Sequence, residues 1–137
     1  MDLFEHKDSG FNPFLITPKW QMAQLNFCSD QALENISRLD IHHQTDEAFF
    51  LINGEVVLVE SEIVDANIVF YLELMKHSII YNIRKNTWHN IIMKPGSQVL
   101  IIENSNTHLG DFEFYDLSEI QKDELVNKVG QLLTGNE

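Results

Sequence analysis

From residue 14 to about residue 113 the chain reads as short apolar runs rich in β-branched and aromatic residues, interrupted by turn residues roughly every ten positions. Residues 20–27 alternate loosely between apolar and polar, and residues 36–42 read as a strand end. Ser29-Asp30 is placed to cap one short helical turn through Asn35. Further strands are expected over residues 67–74, 79–83, 88–93, 99–103 and 112–115. The clearest unit joins residues 47–52 to 55–59 through Asn53-Gly54, because both residues accept the positive φ of a two-residue hairpin turn. Residues 49–52, 56–59 and 79–80 are apolar at consecutive positions, which predicts cover on both faces, from a second sheet or another subunit.

Beyond residue 116 the period changes. Ser118 and Gln121 match a capping box. Leu125, Val126, Val129, Leu132 and Leu133 then recur at helical spacing, and Gly135 is placed to end the helix. The pattern predicts an all-β sandwich or barrel over about residues 14–116, with one amphipathic helix over about 118–133 packed on it or on a partner. Strands without intervening helices argue against a βαβ fold.

At 137 residues, 44% of them apolar, the chain suffices for one domain (1–137) with its own core. Its formal charge of −12, from nine basic residues scattered among 21 acidic ones, argues against nucleic acid and acidic membrane surfaces as partners. Cys28 is the sole cysteine, so no internal disulfide can form, and a reducing, cytoplasmic location is expected. Residues 1–10 lack the apolar stretch of a signal peptide, and no run approaches the length of a membrane span.

The segment Ile41-His42-His43-Gln44-Thr45-Asp46-Glu47, continuing to Asn53-Gly54, resembles the first motif of the cupin superfamily: His-x-His, three or four residues, Glu, six residues, Gly. His43 falls on the second His, Glu47 on the Glu and Gly54 on the Gly. The first His falls on Ile41, unless a one-residue bulge lets His42 serve, since adjacent strand residues point to opposite faces. Arg84-Lys85-Asn86-Thr87-Trp88-His89 is similar to the second motif, Pro-x-Gly-x-x-His, with His89 on its ligand and Asn86 on a glycine whose left-handed conformation asparagine tolerates. Ser78, Arg84 and Met93 depart from that motif, and Asn35 from the opening glycine of the first.

The resemblance implies a cupin jelly-roll barrel with His43, Glu47 and His89 as metal ligands and catalytic groups, and His42 as a further ligand if a bulge is present. Imidazole and carboxylate together suit one divalent metal, Zn, Mn, Fe or Ni. The alternative is a metal-free cavity whose His and Glu satisfy each other and water, and this weighs slightly more. Trp88 reads as packing. His77, Tyr81 and Arg84 flank the second motif, and His6 and His108 sit in polar surroundings.

Residues 81–90 and Asp46-Glu47-Ala48-Phe49 are also similar to segments of ureidoglycolate lyases, which implies cleavage of a small ureido-hydroxy acid to glyoxylate and urea. A second resemblance, to small cupins that isomerise keto-sugar nucleotides, implies a histidine acid–base without metal. A cupin that only binds a small metabolite is the non-enzymatic reading. A homodimer is expected in each case.

Overall fold

A computed structural model describes residues 1–134; Gly135, the expected end of the helix, lies outside the described residues. Among the described residues ten strands form two five-stranded antiparallel sheets. β1 (Gly10–Ile16), β2 (Trp20–Asn26), β9 (Gln98–Asn104), β4 (Glu47–Asn53) and β7 (Ile80–Ile83) make the first sheet, in the order β1-β2-β9-β4-β7. The second runs β10-β3-β8-β5-β6, from β10 (Glu113–Asp116), β3 (Arg38–Ile41), β8 (Trp88–Met93), β5 (Val56–Val64) and β6 (Asn67–Leu74). Two 3₁₀ turns, Ser29–Gln31 and Leu33–Asn35, lead from β2 into β3, where one short helical turn was expected.

Inward residues alternate along the strands and meet between the sheets. Ala23, Leu25, Phe49, Leu51, Val56, Leu58, Ile91, Met93, Val99 and Ile101 are all buried there. The outer face of the second sheet is covered by α2 (Glu119–Thr134), which buries Leu125, Val129 and Leu133 against Leu39, Val57, Val59, Phe70 and Ile92. Each such side chain stabilises the packing by about 1.5–3 kcal/mol. This helix explains the apolar run in β5, whose alternate residues serve two different cores. The capping box forms: Gln121 N–H donates to Ser118 Oγ at 3.2 Å and Ser118 N–H to Gln121 Oε1 at 2.9 Å. Among the described residues no helix is long and apolar enough to cross a membrane.

The Asn53-Gly54 hairpin does not form. β4 pairs with β7 and β9, whereas β5 pairs with β6 and β8, so the chain crosses between sheets at this corner. Gly54 (φ +92°) is needed because a Cβ there would lie 2.6 Å from Ser97 Cα. The two-residue turn with positive φ throughout is instead Asp65-Ala66 (φ 51° and 67°), between β5 and β6. Two further features lay outside the sequence reading. β1 is an edge strand irregular around Pro13, which hides its alternation, and α1 (Thr107–Gly110) is a single turn.

Candidate metal and ligand site

Two cross-strand pairs carry polar groups into the barrel. Asp40 of β3 lies opposite His89 of β8, and Gln21 of β2 opposite Glu103 of β9. Glu47 begins β4 and shares its inward face with Phe49 and Leu51. His42 follows β3 directly and is buried.

The Glu47 carboxylate sits between two imidazoles. Its Oε1 is 3.1 Å from His89 Nε2 and its Oε2 is 3.3 Å from His42 Nε2. Each ring donates its other N–H to a backbone carbonyl: His42 Nδ1–H to Asp111 O at 2.7 Å, and His89 Nδ1–H to Thr87 O at 2.9 Å. A carbonyl can only accept, so Nδ1 keeps its proton and Nε2 is the nitrogen free to change partner. The Asp111 side chain also accepts from the N–H groups of His43 and Gln44, at 2.9 and 3.0 Å, fixing the segment that carries His42.

Burial lowers His42, but the hydrogen bond and charge of Glu47 outweigh it and carry the imidazole up to about 9. His89 shifts upward through the same opposition of burial and Glu47. Burial alone would raise Glu47, yet the two imidazoles hold it well below the ordinary carboxylate range. Glu103 goes the other way: burial, then the neighbouring Glu47, push it up to about 8. Asp40 is raised by burial, in part offset by His42 and His89.

His43, expected beside Glu47 and His89 as ligand and catalytic group, stands apart from them. It is exposed, donates Nδ1–H to Asn86 Oδ1 at 2.8 Å and pairs through Nε2 with Glu113. The difference is one of spacing. The first motif tolerates three or four residues before its Glu; four places His42, not His43, on the second histidine and Asp40, not Ile41, on the first. No bulge is required, and His42 faces inward. Asn86 has φ 63°, the left-handed conformation inferred from its place in the second motif.

Asp40 and Glu103 were not singled out from the sequence. Asp40 was detectable through the four-residue spacing, and Glu103 as the one acid on the inward side of Val99, Ile101 and Glu103. His108 contacts Gln21 Nε2 at 3.1 Å, and Gln21 donates to Glu103 Oε2 at 2.9 Å, so this histidine belongs to the wall of the cavity. His77 and Arg84 are exposed, and Tyr81 OH accepts the Lys76 N–H. His6 contacts Gly10 O. Trp88 packs on Tyr115 with ring centroids 5.9 Å apart, in the core beneath α2.

The donor set suits a cation. One donor atom each from Asp40, His42 and His89 lie within 4.8 Å of one another, as do those of His42, Glu47 and Glu103. Neighbouring donors on an ion with bonds of about 2.1 Å are about 3 Å apart, close to the Glu47–imidazole separations. Asp40 Oδ1 is buried and receives no hydrogen bond, an acceptor that a cation or ligand donor would satisfy, while Glu103 Oε1 receives none and its carboxyl group lies against Glu47. Beside them lies a cavity of about 240 Å³, walled by Leu25, Phe49, Ile91 and Ile101 and ending in Glu47, His89 and Glu103.

No protein-family model matches the chain, and no curated protein matches it. Solved structures do. A Bacillus halodurans protein aligns at TM-score 0.56 and 16% identity, over 79% of this chain and 78% of its own. A cupin-2 domain containing protein from Shewanella frigidimarina aligns at 0.50 and 16%, over 73% and 84%. The capsular polysaccharide assembling protein CapF of Staphylococcus aureus aligns at 0.51 and 20%, over 84% of this chain and 34% of its own. At such identities the shared property is the fold.

Proposed function

Because this chain folds as a cupin barrel, we propose that its interior binds a small polar metabolite beside one divalent cation held by Asp40, His42, Glu47 and His89. The observation that carries the reading is the pair of imidazoles tied through Nδ1 to backbone carbonyls while both Nε2 atoms converge on one carboxylate. That arrangement is how metal-binding histidines are oriented, and it fixes the nitrogen offered to the ion. The mixed nitrogen and oxygen donors suit Zn, Mn, Fe or Ni. Such an ion, when bound, supplies Lewis-acid polarisation of a ligand oxygen.

The chain's own residues supply the rest. Leu25, Phe49, Ile91 and Ile101 exclude water from the ligand. Gln21 holds Glu103 through Oε2 and so fixes that carboxyl group on the cavity wall. A cavity of about 240 Å³ is smaller than those of drug-sized ligands, which suits a metabolite of few atoms. A nucleotide-linked sugar would extend well outside it, so the isomerase reading has less support. Ureidoglycolate is the first substrate to assay, on the sequence resemblance of residues 46–49 and 81–90.

Metal analysis of protein purified without chelator tests the reading. About one equivalent of a transition metal is expected, and less than roughly a tenth overturns it. Glyoxylate release from ureidoglycolate above background would support lyase chemistry, and its absence removes that substrate. We also infer a homodimer through the outer face of the first sheet, where Trp20, Ile52, Ile80 and Ile102 are exposed. A monomer mass in light scattering would overturn it.

A further inference from the structure

A second void, of about 410 Å³, lies against the same strands and is lined by Asp30, Asn35, Arg38 and Phe114. Gln31, Asp40 and Asn90 line both this void and the inner cavity, so these three side chains form the partition between them. Asn90 is engaged at both ends: its Nδ2 donates to Arg38 O at 2.6 Å and its Oδ1 accepts from Ile91 N–H at 2.7 Å. The other two are not. Gln31 Oε1 and Asp40 Oδ1 are buried acceptors with no donor. Leaving such atoms unpaired is costly, so the partition is built to receive N–H or O–H groups.

The outer void has the opposite need. The Arg38 guanidinium lies 3.7 Å from the centre of the Phe114 ring. Stacking occupies the face of that group and leaves its N–H edge for an anion. Among the described residues no carboxylate forms an ion pair with Arg38. In a chain of net charge −12, this is a local site for negative charge. Asp30 on the same wall would repel a second anionic group, so a monoacid fits better than a diacid.

We propose that the two voids form one ligand site, in which Arg38 takes the carboxylate of a small acid while Gln31 Oε1 accepts the N–H of an amide lying between that carboxylate and the inner cavity, Asp40 being left to the cation. The inference rests on the reading of the barrel interior as a metabolite site and adds the chemical class of the ligand: small N-acylated amino acids and related amide-bearing acids. A plain carboxylate would engage Arg38 but leave Gln31 Oε1 unfilled. A neutral amide would fill it and forgo the Arg38 guanidinium.

Calorimetry on the full chain as purified tests this with four probes: N-acetylglycine, its N-methylated analogue N-acetylsarcosine, acetate and N-methylacetamide. N-acetylglycine is expected to bind at least about tenfold tighter than the other three, because each lacks either the N–H or the carboxylate. Gln31→Leu should erase the preference for N-acetylglycine over N-acetylsarcosine, whereas Gln31→Glu, which retains an acceptor, keeps it. Arg38→Gln should weaken all three acids about tenfold, with partial recovery in Arg38→Lys.

Metal content and melting temperature are recorded for every variant. Variants that melt like the wild type yet bind the probes with wild-type preference overturn the proposal, as does a wild type that binds none of the four. Metal content separates the two readings. A metal-loaded protein indifferent to the amide N–H sinks this inference alone, and a metal-free protein that still prefers N-acetylglycine sinks the cation and keeps the ligand class.

Discussion

Replacing Glu47 by glutamine removes a charge from between two imidazoles while preserving shape. Without the carboxylate, His42 falls from about 9 toward its ordinary 6.5. A group whose folded pKa is raised contributes stability that is complete below the unfolded pKa and lost as pH climbs through the folded one. At pH 7.5 the wild-type imidazolium therefore contributes about 2 kcal/mol, from a gap of about 1.5 units at about 1.4 kcal/mol each. The glutamine carbonyl still accepts a hydrogen bond from a neighbour and offsets part of the loss, leaving a net cost of about 1–2 kcal/mol, or roughly 3–6 °C in melting temperature. By pH 10 the imidazolium is gone from both proteins and the difference should nearly vanish. Wild-type stability should itself decline over this range, because Glu103, raised to about 8, stabilises only while protonated. The assay is thermal unfolding of both proteins in chelator at pH 7.5 and 10. Equal stability at pH 7.5, or a difference that widens at pH 10, refutes the pairing. In metal titrations Glu47→Gln should bind at least about tenfold more weakly.

Three further outcomes are expected from the site and the turns around it. His42→Ala should abolish stoichiometric metal binding while His43→Ala leaves it intact, and the reverse result in metal analysis would return the site to the spacing first read from the sequence. Ala66→Gly should raise stability by about 1 kcal/mol, because alanine at φ 67° bears a steric cost that glycine escapes; an unchanged urea midpoint would contradict that. Gly54→Ala should cost about 3 kcal/mol or more, since the new methyl adds a left-handed penalty to a collision with Ser97. Wild-type melting behaviour would refute the close approach.

The architecture was largely legible because period-two runs and one period-3.6 segment are local properties of sequence. Asn67–Leu74 and Trp88–Met93 coincide with the expected limits, and the Ser118–Gln121 box starts the helix. Pairing was not legible to the same degree. Asn53-Gly54 has the chemistry of a hairpin, but whether a corner closes a hairpin or changes sheets depends on contacts dozens of residues away, here with Ser97. In the site, Glu47 and His89 meet as the sequence suggested, while the choice between His42 and His43 turned on a single residue of loop length. Glu103 and Gln21 enter through strand pairing that no local motif records. The consecutive apolar residues at 49–52 and 79–80 were expected to be covered on both faces, yet Ile52 and Ile80 are exposed in the single chain.

Asp40 and His89 belong to one layer of the barrel, Glu47 and Glu103 to the other. An ion seated among them would act as a rivet through both layers, so its grip would be felt in the resistance of the whole sandwich to being prised open. With the rivet hole empty, only the clasp of Glu47 on His89 spans the seam at this point, a weaker fastening than an ion gripped from both layers.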